Sequence, residues 1–391
     1  MSKLERLIQQ YCPDGVEYVK LDSVANICRG TRVVKSQLSD KGYPVYQNCL
    51  TPMGYFERSN CNAGITFVIC GGAAGNVGYT DVECWAADDC EFIIGGHQVI
   101  NRYIYYYLMT KQNYLLSKVR KASIPRLSPS IIKDLEIPLP PLPVQEEIVR
   151  ILDAFTELQA ELQAELQKRK QQYNYYLDNL LNFNNINRGG YQAEVRWMKL
   201  KDVCMKTSNI KWKSTTGQYR YIDLSSVDIQ THSIISTIEI DKMSAPSRAQ
   251  QIVQEDDVIF ATTRPTQMRA CIIPTQYNGD ICSTGYCVLR VDTKILLPRF
   301  LFFSLTISGF KTYLSNNLTL GNYPSISNNT LLEYEVPVPS LANQQRIVAI
   351  LDRFDRLTND LTSGLPAEIE KRRQQYEYYR DKLLTFKRKG A

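Results

Sequence analysis

The stretch KRKQQYNYYLDNLLNF at 168–183 returns as KRRQQYEYYRDKLLTF at 371–386. Eleven of the sixteen positions are identical and the copies stand 203 residues apart, so a whole structural unit has been duplicated. Upstream of each copy a second match follows: IPLPPLPVQEEIVRILDAF at 137–155 against VPVPSLANQQRIVAILDRF at 336–354. A third, VEYVKLDSV at 16–24 against VRWMKLKDV at 195–203, predicts a shared first strand. Each half therefore reads as a variable block, a proline-rich joint and a long segment. The halves agree in joints and long segments and differ in between.

The long segments have helical spacing. Apolar residues fall at Ile148, Ile151, Leu152, Phe155, Leu158, Leu162 and Leu166, then at Tyr173, Tyr176, Leu177, Leu180 and Leu181. The second copy answers with Ile347, Ile350, Leu351, Phe354, Leu357, Leu361, Leu365, Ile369, Tyr376, Tyr379 and Leu383. One apolar stripe with charges between it is an amphipathic helix. From Gln145 to Phe183 such a helix spans about 58 Å, and from Gln344 to Phe386 about 64 Å, at about 1.5 Å per residue. A single stripe that long needs a partner, and the other copy supplies it as an antiparallel intramolecular pair. The first helix carries TELQ-AELQ-AELQ at 156–167, and the second RLTN-DLTS-GLPA-EIEK at 356–371, one tetrad more. Gly364 and Pro366 predict a kink or break there.

The expected fold is α+β: two mixed α/β blocks separated by two long antiparallel helices, with a pseudo-twofold repeat. The boundaries read as 1–142 for the first block with a short N-terminal helix, 143–185 for the first long segment, 186–341 for the second block and 342–391 for the last segment. In block one, GITFVIC at 64–70 reads as a strand before the glycine-rich turn GGAAGNVGY, and RYIYYYLMT at 102–110 as a helix. In block two, DDVIFATTR at 256–264 and YCVLRV at 286–291 read as strands and RFLFFSLTIS at 299–308 as one helix.

Composition removes several classes. The 391 residues are 44% hydrophobic and 22% charged, in the globular range. No apolar run is long enough for a membrane span, and the N-terminus lacks the apolar stretch of a signal peptide. Eleven cysteines without a CxxC pair read as reduced, mostly buried thiols of a cytoplasmic protein. With only His97 and His232, histidine-rich metal sites are disfavoured and no metal site is expected. There is no Walker A loop, no dinucleotide fingerprint, no nucleophile elbow and no amino-methyltransferase motif. A net charge of +6 leans toward an acidic partner such as nucleic acid.

The duplicated order of variable block, PLPVQEEIVRILD joint (141–153) and long helix, with SLANQQRIVAILD at 340–352 as its second copy, resembles the specificity subunit of type I restriction–modification systems. The second joint departs from the pattern in lacking two prolines after Ser340. The tandem AELQ tetrads are similar to central repeats of that family. The resemblance implies two target recognition domains, each reading one half of an asymmetric bipartite site in double-stranded DNA. It implies helices that set the spacing and dock two methyltransferase subunits, and through them two motor–nuclease subunits. It further implies that the chain is not an enzyme and holds no cofactor, S-adenosylmethionine belonging to the methyltransferase, and ATP and Mg to the motor–nuclease. The partner-docking and spacer residues are then Gln145, Ile148, Leu152, Phe155, Tyr173, Tyr176, Gln344, Ile347, Leu351, Phe354, Tyr376 and Tyr379. Apart from the resemblance, two unlike readers on a rod of fixed length should recognise two sequences at a fixed gap. One tetrad, about 6 Å of helix, should alter that gap by one or two base pairs.

Candidate DNA contacts follow, each beside its plainer reading. GGAAGNVGY can lay amides on phosphates with Asn76 reaching out, or be an ordinary tight turn. Lys118, Arg120, Lys121 and Arg126 precede the joint, as do Asn322 and Tyr323 in block two, where family members tend to face DNA. Arg264, Gln267 and Arg269 suit base edges, Arg for guanine and Gln for adenine, or form a solvated turn. Lys211, Lys213 and Arg220 are weaker candidates of the same kind. KRK at 168–170 and KRR at 371–373 are phosphate or partner contacts, or a charged helix face. Cys282 and Cys287 read as buried strand thiols rather than ligands, and His97 as a structural residue. Two alternatives remain open: a non-enzymatic tandem-domain scaffold whose helices associate between chains, and an enzyme with an unrecognised site.

Overall fold

The computed structural model describes residues 2–183, 195–319, 321, 323–360 and 363–390. The chain forms two compact units: Met1–Glu161 with Glu370–Ala391, and Leu162–Ile369. They cut across the four sequence segments, because the division falls inside one continuous helix, Leu142–Leu181.

In the first unit, Tyr18–Lys20 pairs antiparallel with Glu136–Pro138, so the shared first strand meets the strand that leads into the joint. Beside it lies an antiparallel four-stranded sheet in the order Ala25–Arg29, Cys90–Gly95, Ile65–Ile69, Val77–Thr80. Every residue of Ile65–Ile69 is buried, including Thr66, whose hydroxyl donates to the Asn101 carbonyl at 2.9 Å. The helix Asn101–Thr110 covers one face with Tyr103, Ile104, Tyr106, Tyr107 and Leu108. Elsewhere Phe67 packs on Phe92 and on Tyr46, which belongs to a small three-stranded sheet. The N-terminal helix Lys3–Tyr11, closed by a capping box from Ser2 and Glu5, buries Leu4 in the cluster that also holds Val144, Ile148 and Leu384. The chain's end returns here, with the Val16 amide donating to the Lys387 carbonyl and the Lys389 amide to the Val16 carbonyl.

The second unit repeats the plan. Arg196–Lys199 pairs with Glu335–Val338. Its four-stranded sheet runs Cys204–Met205, Tyr286–Val291, Val258–Ala261, Ala270–Ile272, the same order as in the first unit. It adds a five-stranded sheet of short strands, among them Ala249–Ile252, Tyr219–Ile222 and Ile281–Ser283, the last two paired in parallel. The single helix expected at 299–308 is two, Pro298–Ser304 and Ser308–Asn316. Their separation lets Phe300, Phe302, Phe303 and Phe310 all enter one core.

The first long helix starts at Leu142, three residues before the expected start at Gln145, with Pro143 in the first turn, where a missing N–H costs nothing. The second copy is broken as Gly364 and Pro366 lead one to expect: Leu341–Asn359 ends at Asp360, and Leu365–Leu383 begins after Gly364. A side chain at Gly364 would meet the Arg356 carbonyl at 2.4 Å. In the first unit Phe155 of the continuous helix stacks on Tyr379 and lies against Tyr376. In the second, Tyr176 of the same helix stacks on Phe354.

Candidate nucleic-acid interface

Both central hairpins end in a turn crossed by the segment that precedes the joint. In the first unit Gly71 bridges Arg126, Arg120 bridges Arg126, and the Leu127 amide donates to the Cys70 carbonyl at 3.0 Å. In the second, Thr263 bridges Ser325, Thr319 bridges Ser325, and the Ile326 amide donates to the Thr262 carbonyl at 2.9 Å. The hydrogen-bond pattern is the same although the two turns share no sequence, and the crossing segments share Pro125 and Ser128 with Pro324 and Ser327. It gathers motifs some fifty residues apart: GGAAGNVGY with the basic run 118–126, and TTRPTQMR with 319–325.

Around the first turn Lys118, Arg120, Lys121 and Arg126 are all exposed. Lys118 lies over the Tyr114 ring, and Arg126 pairs with Asp89 at 3.2 Å while staying more than half exposed. Asn76 does not reach out as expected. Its side-chain amide donates to the Ala73 carbonyl at 2.8 Å and so closes its own turn. Burial pushes the Cys70 thiol, at the head of this turn, up to about 12, which keeps it unreactive.

Around the second turn Arg264 and Gln267 are exposed and line a cavity of about 550 Å³ with Arg248, Thr263, Arg269, Tyr323 and Ser325. Arg264 lies over the Tyr323 ring at 4.7 Å. The Arg269 guanidinium donates to the Val227 carbonyl, leaving less of it for a ligand. Arg220 is held by Asp280 at 2.8 Å and by the Gln276 carbonyl, over the ring of Tyr277. Lys211 and Lys213 are exposed, and among the described residues no contact joins them to the turn. Asn322 lies outside the described residues. His97 is exposed, whereas burial lowers the pKa of His232. Cys282 and Cys287 are buried free thiols, and among the described residues no cluster could hold a metal ion.

The helix residues divide. Gln145, Ile148, Leu152, Gln344, Ile347 and Leu351 are buried within their own units. Gln145 donates to the Gln98 and Pro140 carbonyls at 2.8 and 2.7 Å and accepts from the Ile100 amide at 3.0 Å. Gln344 does the same with the Ile295 and Pro339 carbonyls, both at 2.9 Å, and the Leu297 amide. Each glutamine thus ties the start of a long helix to the block that precedes it. A second tie was not anticipated from the sequence. Arg102 pairs with Asp153 at 2.8 Å over the ring of Tyr79, and Arg299 pairs with Asp352 and Asp355 at 2.7 and 2.8 Å over Phe303. Tyr173 is largely buried, and Phe155 and Phe354 are partly so. Tyr176 and Tyr379 remain 37% exposed, and their neighbours Tyr175 and Tyr378, missed in the sequence, 66% and 61%.

Residues 13–172 and 192–371 each match the family described as type I restriction modification DNA specificity domain. The chain belongs to this family. It is 32% identical over 312 residues to the specificity subunit of an Escherichia coli type I restriction enzyme, spanning 74% of this chain and 72% of that one. A Haemophilus influenzae protein named as a type I restriction enzyme specificity subunit is 28% identical over 400 residues, 98% of both chains. The fold is similar to the crystal structure of the type I restriction–modification S subunit from M. genitalium, with TM-score 0.61 at 17% identity over 95% of this chain and 96% of that one. As a member of the specificity family the chain supplies DNA sequence specificity through two recognition domains. Among the described residues no helix is long and apolar enough to cross a membrane.

Proposed function

We propose that each unit reads one half of an asymmetric, split DNA site through its crossed turn, and that the continuous helix fixes the gap. The observation that carries this is the identical turn architecture in two units whose turn residues differ. Same frame with different side chains is what two unlike half-sites require. In the first unit Lys118, Arg120, Lys121 and Arg126 supply phosphate contacts. In the second Arg264 and Gln267, with Tyr323, face the duplex.

The chain carries out no chemistry itself. It docks two methyltransferase subunits, one at each QQYxYY copy, where Tyr175 with Tyr176 and Tyr378 with Tyr379 present matching exposed aromatic pairs. Paired exposed aromatics are the residues that anchor protein interfaces. Those subunits would bring S-adenosylmethionine and methylate adenine N6. Motor–nuclease subunits would join through them and bring ATP and Mg. A duplex-binding titration of the complex over a range of salt tests the DNA half of this reading. Phosphate contacts release counterions, so affinity should fall steeply with salt. Replacing Lys118, Arg120 and Lys121 by glutamine should lower the slope by up to about three, roughly one per lost contact. An affinity indifferent to salt would support a protein scaffold instead.

A further inference from the structure

The crossed turns can be superposed residue by residue from their hydrogen bonds. The Gly72 amide donates to the Pro125 carbonyl at 3.1 Å, and the Arg264 amide to the Pro324 carbonyl at 2.7 Å. Gly72 and Arg264 therefore hold equivalent positions. Both backbones are left-handed, with φ +83 at Gly72 and 52 at Arg264. In the first unit glycine is needed for a further reason, since a Cβ there would sit 2.8 Å from that of Asn48. In the second unit an arginine occupies a conformation that L side chains rarely adopt.

That arginine is also held. Its guanidinium lies over the exposed Tyr323 ring. A guanidinium carries five N–H donors in a planar fork. Among the described residues no carboxylate or carbonyl accepts from them, whereas Arg220, Arg269 and Arg290 are each committed to an acceptor. A rigid planar fork of donors on the wall of a cavity matches the paired O6 and N7 acceptors on the major-groove edge of guanine.

We propose that Arg264 reads a guanine in the half-site of the second unit, with Tyr323 as the platform that holds its fork. This rests on the reading of that unit as a recognition domain. Arg264→Gly tests it without endangering the fold, because it installs the residue found at the equivalent turn and relieves the left-handed strain. Arg264→Lys keeps the charge and removes the fork. The chain is coexpressed with its methyltransferase subunit in a host free of adenine methylation, and modified adenines are mapped genome-wide. If the wild type yields no split motif, the recognition-domain reading falls and this proposal falls with it. Given a split motif, Arg264→Gly should relax one position, a guanine in one half-site, by roughly ten- to hundredfold, with the other half-site and the gap unchanged, and Arg264→Lys, which can still donate to guanine, should relax it less. Methylation reduced evenly at an unchanged motif would make Arg264 a phosphate contact and overturn the proposal. Relaxation at a base other than guanine would overturn it as well.

Discussion

Gln145→Leu removes three hydrogen bonds and little volume. The amide of Ile100 and the carbonyls of Gln98 and Pro140 lose their partner where Gln145 itself is fully buried. A buried group left unsatisfied costs about 1–3 kcal/mol, so three cost about 3 kcal/mol even at the low end. At about 1.4 kcal/mol per tenfold, the opening of this joint should become roughly a hundredfold more frequent. Native-state hydrogen exchange reads this directly at the Ile100 amide, which should exchange roughly a hundredfold faster. The Leu297 amide, bound in the same manner by Gln344, is the internal control and should not change. Gln344→Leu should reverse the pattern, and the double variant should show both losses added, since the sites share no partner. Protection at Ile100 altered by less than threefold would refute the assignment of Gln145 as the tie between block and helix. Equal losses at both amides would refute the independence of the two ties.

Arg150 and, after it, Lys3 hold the Glu147 carboxyl down at about 2. Its folded value lies below the unfolded one, about 4.3, so its stabilisation is complete above that pH and is lost as pH falls toward 2. Glu147→Gln should therefore flatten the acid limb of the urea midpoint between pH 5 and 2. Tyr378→Arg should remove one of two methyltransferase subunits from the complex, and Tyr175→Arg the other, as counted by native mass spectrometry. Deleting one AELQ tetrad, 160–163, shortens the helix by about 6 Å and should shift the methylated motif's gap by one or two base pairs with both half-sites intact.

The long helices and their break were legible because helical periodicity, proline and glycine act locally, at Pro143, Gly364 and Pro366. The buried strands Ile65–Ile69 and Tyr286–Val291 announced themselves as mostly apolar runs, interrupted at Thr66 and Arg290. What stayed hidden was non-local. Arg102 and Asp153 are 51 residues apart in sequence and follow no period, yet they tie helix to block. The likeness of the two turns is held in backbone hydrogen bonds, which place Gly72 and Arg264 in one position though nothing in their side chains relates them. Asn76 was misread because its reach depends on a turn geometry that the residue type does not fix. The five-stranded sheet of the second unit went unseen because strands of two to four residues carry too little pattern.

In the proposed function, two unlike readers recognise two half-sites across one gap. The most direct test is a genome-wide map of methylated adenines in cells carrying this chain and its methyltransferase subunit. A split, asymmetric motif with one fixed gap is the predicted result. A continuous or palindromic motif would contradict the two-reader arrangement, because two different turns cannot read the same sequence.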